Sequence, residues 1–103
     1  MVARTWKGIT TTENADAYVK HLREKTLPAL RGISGHRAAY VLRRPSGTST
    51  EFTVVTLWGS VDDIRRFSGP DAEASVVPAE ARALLSAFDD RAVHWEVALA
   101  SSV

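Results

Sequence analysis

Glu51-Phe52-Thr53-Val54-Val55-Thr56-Leu57-Trp58-Gly59-Ser60-Val61-Asp62-Asp63 is the stretch that decides the fold. Its first eight residues are a near-continuous β-branched and aromatic run, which reads as a strand. Gly59 interrupts the run, and Ser60 with Asp63 three residues on has the form of a capping box that starts a helix. A large flat ring, Trp58, therefore stands where a strand hands over to a helix. Such junctions leave a crevice that small ligands use. Trp6 closes another short strand, and His36, His94 and Trp95 open two more.

Upstream, His36 to Arg44 alternates as a strand, and Pro45-Ser46-Gly47-Thr48-Ser49-Thr50 reads as a long hairpin loop joining it to Glu51–Trp58. Val2 to Ile9 is the first strand. The cluster Thr10-Thr11-Thr12 caps a helix from about Glu13 to Arg31, whose Ala15, Tyr18, Val19, Leu22, Thr26 and Leu30 fall close to a 3.6 period. His21, beside Lys20 and Arg23, reads as solvated. Pro28 is expected to loosen the last turn and Gly32 to end it. Downstream, the helix begun at Ser60 carries Ile64 and Phe67 inward and ends near Gly69-Pro70. Pro78 opens another helix running through Arg82, Leu84, Leu85 and Phe88. Arg91 to Leu99 is the last strand, with Val93, Trp95, Val97 and Leu99 on one face, and the tail Ala100 to Val103 is expected to fray.

The order β-α-β-β-α-β is the α+β, ferredoxin-like arrangement: one antiparallel four-stranded sheet in the order 4-1-3-2. Strands one and three are expected to form a parallel central pair. That places Trp6 and Trp58 side by side at one sheet edge, with the starts of strands two and four, His36 and His94-Trp95, at the same edge. The helices cover one face, and Val41, Val55 and Leu57 supply apolar residues for the other, against which a second copy packs as a homodimer.

The chain has 103 residues, 45% of them hydrophobic and 24% charged, enough for one domain with a modest core. A net charge of +1, with no run of one sign longer than Arg43-Arg44 or Arg65-Arg66, gives no nucleic-acid footprint. No stretch approaches the roughly 18 apolar residues of a membrane span, and no apolar signal core follows Met1, so a cytoplasmic location is expected. With zero cysteines there is no thiolate chemistry. Three dispersed histidines give no metal site, and nucleotide-binding glycine motifs are missing. No metal, haem or flavin cofactor is expected.

The segments Ala3-Arg4-Thr5-Trp6-Lys7-Gly8, Tyr18 and Leu22 running to Pro28, Tyr40-Val41-Leu42-Arg43-Arg44, Leu57-Trp58 and Val93-His94-Trp95-Glu96-Val97 together resemble an antibiotic-biosynthesis-monooxygenase-type domain of the dimeric α+β barrel superfamily. The resemblance spans nearly the whole chain. It implies a homodimeric barrel with a ligand cavity between sheet and helices in each subunit. Members include cofactor-independent oxygenases of electron-rich phenols or quinols, and haem-degrading oxygenases. Trp58 matches the tryptophan that borders the cavity in both branches. The haem branch also needs an asparagine on strand one, where this chain has Thr5-Trp6-Lys7, and a ligating histidine where this chain has Asp71 to Val77; both are missing.

A cofactor-free oxygenase needs a base, a dry pocket and hydrogen-bond donors. Histidine suits the base because its ordinary pKa lies near neutrality; His94 is the first candidate and His36 the second. Trp58 and Trp6 are expected to line the site of a small aromatic ligand. Tyr40, Arg4 and Arg65 are candidate partners for its oxygens, and Phe67 is a candidate wall residue that also suits the core. The alternative is a dimeric ligand-binding or structural protein without catalysis.

Overall fold

The computed structural model describes residues 1–102. Val103, the end of the tail expected to fray, lies outside the described residues. The elements are β1 (Val2–Thr11), α1 (Thr12–His21), a π-helical turn (Leu22–Thr26), α2 (Leu27–Arg31), β2 (His36–Ser46), β3 (Ser49–Trp58), α3 (Val61–Ser68), α4 (Ala79–Arg82), β4 (Leu85–Phe88) and β5 (Val93–Glu96). The sheet runs β2-β3-β1-β4, with β5 also paired to β1. It is the expected α+β, ferredoxin-like sheet, with its fourth position divided between two short strands on one edge.

Every pairing is antiparallel, including β1 with β3, where Val2 faces Trp58 and Trp6 faces Val54. The parallel central pair is therefore corrected. In a split β-α-β unit it is strands one and two that share a direction, and β3 inserts between them reversed. Trp6 and Trp58 are consequently offset by four residues along the sheet, although both point to the helices. His36 still meets Trp58, across the β2–β3 ladder, and His94 faces Arg4 across β1–β5.

Local chemistry accounts for most boundaries. The Thr11 hydroxyl accepts the Asn14 N–H at 3.2 Å and starts α1, and Ser60 does the same for Asp63 in α3. Pro28 has no N–H for the preceding turn and its ring crowds that carbonyl; the backbone absorbs this upstream as the π turn, closed by Leu27 N–H on the Leu22 carbonyl. The hairpin loop is only Gly47-Thr48, with Gly47 at φ 62°, because both strands extend further than expected. Pro45 fits inside β2 because β2 is an edge strand.

Two expectations about the C-terminal third are overturned. The helix opened by Pro78 stops at Arg82, and Leu85–Phe88 pairs with β1 at Gly8, Ile9 and Thr10 instead of continuing it. The last strand is confined to Val93–Glu96, with Val97 and Leu99 beyond it. Val41 also belongs to the helix face: opposite Val54, it packs on the cluster of Trp6, Tyr18, Leu22 and Phe52. A second cluster, Leu30, Trp58, Ile64 and Ala72, fills the other end. No helix is long and apolar enough to cross a membrane.

Candidate functional site

Alternation along β1 aims Arg4 and Trp6 at the helices, and alternation along β3 does the same for Val54's neighbours Thr56 and Trp58. Between the two core clusters Arg4, Trp6, Val54 and Thr56 border a cavity of about 50 Å³. Tyr18, His21 and Leu22 close it from the helix side, with Phe67 from α3 and Val76 to Pro78 from the following loop. Its walls are mostly apolar, with a few convergent polar groups, the composition of a small-molecule site. At this size it holds a few waters at most.

Arg4 dominates the electrostatics. It is 5% exposed, and among the described residues no carboxylate pairs with it. One guanidinium nitrogen donates to the Ala74 carbonyl at 2.7 Å, Nε has no partner, and the group lies 5.5 Å over the Phe67 ring. Burial pushes its pKa down. Thr56 Oγ1 accepts the Trp58 indole N–H at 2.8 Å. Tyr18 packs edge-on to Phe52 at 4.9 Å, and desolvation pushes its hydroxyl up to about 12, so it stays a neutral donor. The Trp6 indole N–H is held by the Asp89 carbonyl at 3.0 Å and the Ser75 hydroxyl at 3.1 Å.

No protein-family model and no curated sequence matches this chain. Solved structures do. A candidate antibiotic biosynthesis monooxygenase from Bacillus cereus aligns with a TM-score of 0.69 at 12% identity, over 100% of this chain and 96% of its own. Another from Deinococcus radiodurans gives 0.69 at 16%, over 100% and 98%. The chain has the antibiotic-biosynthesis-monooxygenase fold. The same fold is shared by MhuD of Mycobacterium tuberculosis, a haem degrader with two haems bound in its active site, at TM-score 0.63 and 17% identity over 99% and 100%.

Within this antibiotic-biosynthesis-monooxygenase fold, three residues singled out from sequence, Arg4, Trp6 and Phe67, meet at the cavity. Trp58 does not line it. Fully buried, it stands behind Phe67, ring centres 6.1 Å apart, and behind Thr56. His36 packs edge-on against Trp58 at 5.0 Å and borders a separate depression with Arg31 and Arg37. His94 lies beside Arg4 without reaching the cavity lining. Both imidazoles have a buried, partnerless Nε2, and burial lowers both pKa values, with the Arg4 charge adding for His94. Tyr40 is on the open face of the sheet, and Arg65 is engaged with Asp62 and the Pro70 carbonyl on the surface. Among the described residues no three His, Asp or Glu side chains gather to hold a metal.

His21 is the cavity residue that the sequence reading missed. Charged neighbours suggested a solvated side chain, yet it lies three residues after Tyr18, on the buried stripe. That spacing was the available signal.

Proposed function

We propose that this protein is a monooxygenase that binds a small aromatic phenol or enol as its oxyanion and oxidises it with O₂, needing no cofactor. The observation that supports this is Arg4, a buried cation without an anion at the wall of an apolar cavity. Buried charges are ordinarily paired, because desolvating one alone costs several kcal/mol. A ligand oxyanion supplies the missing partner. Charge-assisted hydrogen bonds contribute about 1.5–3 kcal/mol, which lowers the ligand's own pKa by roughly one to two units. The oxyanion is the electron source. For an anthrone-type substrate the CH₂ carbon becomes C=O, one oxygen atom enters the product, and the other leaves as water with both hydrogens; the substrate supplies all four electrons. Arg4 holds the negative charge, and the apolar walls keep bulk water away. Admission of a ring system requires the cavity to widen, and the π turn and the Val76–Pro78 loop are its irregular walls.

Haem does not fit these residues. No histidine occurs from Asp71 to Val77, and the Ala74 carbonyl there is tied to Arg4. The placement of Trp58, His36 and His94 outside the cavity lining favours a second reading: a ligand-binding protein without turnover. Oxygen uptake with anthrone or dihydroxynaphthalene separates the two. Uptake that depends on Arg4 supports the oxygenase; binding of aromatic oxyanions without uptake supports the second reading; neither uptake nor binding overturns both.

The homodimer is part of the proposal. On the sheet face away from the helices, Tyr40 and Trp95 are each 56% exposed, and Leu42 and Val93 are nearly as open. An apolar sheet face of this kind is ordinarily covered.

A further inference from the structure

α1 and α4 meet at His21 and Glu80. The His21 side chain is 8% exposed and lines the cavity, and its Nδ1 lies 3.7 Å from the Glu80 carboxylate, which is 72% exposed. Its other ring nitrogen, Nε2, is buried without a hydrogen-bond partner. His21 also lines a shallow surface depression with Lys20, Glu24, Lys25 and Glu80, so the imidazole stands between cavity and solvent. A neutral imidazole has one donor and one acceptor nitrogen. The Glu80 carboxylate, at 3.7 Å just beyond hydrogen-bond reach of Nδ1, favours through its charge the tautomer with hydrogen on that atom and leaves the Nε2 lone pair unused. This is how a general base is oriented by a third group.

We infer that His21 is the base that takes the hydroxyl proton of the aromatic ligand, with Glu80 positioning its tautomer and balancing the imidazolium that forms. The inference rests on the cavity being the oxyanion site described above. In the step the ligand O–H bond breaks, its electron pair stays on oxygen beside Arg4, and a new N–H bond forms at Nε2; nothing is oxidised. In turnover that proton returns from Nε2 to the oxygen atom that leaves as water, which restores the neutral imidazole. The charged and titratable groups around His21 are Glu80 from α4, Lys20, Glu24 and Lys25 from its own helical run, and Arg4 and Tyr18 on the cavity wall.

The test compares wild type, His21→Gln and Glu80→Gln in two measurements: the pH profile of kcat/KM for anthrone under O₂, and anaerobic binding of para-nitrophenol, whose ionisation is visible in its own absorption. Loss of the base should lower kcat by roughly 10²–10⁴-fold and abolish the acid limb, while para-nitrophenolate is still held by Arg4. Glu80→Gln should lower kcat by a smaller factor with KM unchanged, Glu80→Asp should recover part of that loss, and added imidazole should partly restore His21→Ala. An unchanged kcat and acid limb in a folded His21→Gln overturns the inference. Where His21→Gln does not fold, an unchanged kcat in Glu80→Gln, whose altered side chain is exposed, overturns it. Where the protein binds para-nitrophenol without turnover, the ionisation midpoint of the bound phenol decides: it rises in His21→Gln if His21 is the base and stays put if not. Absence of any Arg4-dependent binding sinks the oxyanion site itself, and with it this inference.

Discussion

Arg4 and Trp58 show opposite uses of a buried side chain. Replacing Arg4 with Met removes the desolvation cost of an unpaired cation and leaves the Ala74 carbonyl without its donor, a loss of about 1–3 kcal/mol. The two effects offset one another, so Arg4→Met should keep its urea midpoint close to wild type. Affinity for para-nitrophenolate should nevertheless fall by roughly 10- to 100-fold, the equivalent of one charge-assisted bond. A large loss of stability with unchanged affinity would show that the cation serves the core alone. Trp58, fully buried behind Phe67 and Thr56, belongs to the packing. Trp58→Ala should cost about 3–5 kcal/mol in denaturant unfolding, and any weakening of ligand binding should appear together with that loss.

At the scale of elements, the join between α2 and β2 depends on a glycine. Gly35 has φ 92°, its carbonyl accepts the Gly59 N–H at 2.9 Å, and a Cβ there would overlap the Asp63 carboxyl. The positive φ alone costs an L-residue about 1–2 kcal/mol, and the overlap adds to it. Gly35→Ala should therefore destabilise the chain by more than about 1 kcal/mol, whereas Gly47→Ala, also at positive φ but in open space, should cost less. Equal urea midpoints for the two variants would contradict the steric argument. The π turn carries a different consequence. Its Leu22 and Thr26 line the cavity, so the irregularity forced by Pro28 lies where the cavity has to widen.

For the whole molecule, the open sheet face and the half-buried imidazoles of His36 and His94 give two expectations. Sedimentation should show a dimer at micromolar concentration, and Trp95→Asp should shift it to monomer by placing a charge on the face; a monomeric wild type would refute the homodimer. Burial holds the folded pKa values of His36 and His94 below the ordinary imidazole value of about 6.5. The unfolded chain thus binds protons that the native chain does not. Their contribution is complete above about pH 6.5 and declines as pH falls from there toward the lower folded values. Asp71, held down chiefly by Arg91, acts only at more acidic pH. The urea midpoint should accordingly drop as pH falls below about 6.5, and the double variant His36→Gln/His94→Gln should flatten that slope.

Sequence by itself determined whatever depends on neighbours along the chain. The period-2 run to Trp58, the cap at Ser60 and the Tyr18–Leu22 stripe set the element types, and alternation put Arg4 with Trp6 and Thr56 with Trp58 on common faces. Tertiary structure decided what depends on distant partners. Leu84-Leu85-Ser86-Ala87-Phe88 continues a helical pattern, yet pairing with Gly8–Thr10 draws Leu85–Phe88 into β4, because β1 has an open edge there. The direction of β3 relative to β1, and with it the distance between Trp6 and Trp58, follows from how the crossover folds back. His21 looks solvated beside Lys20 and Arg23, and becomes a cavity wall when α4 brings Glu80 against it. Local periodicity encodes which way a side chain faces; the side chain's environment is set by the element that packs on that face, and that contact is made across the fold.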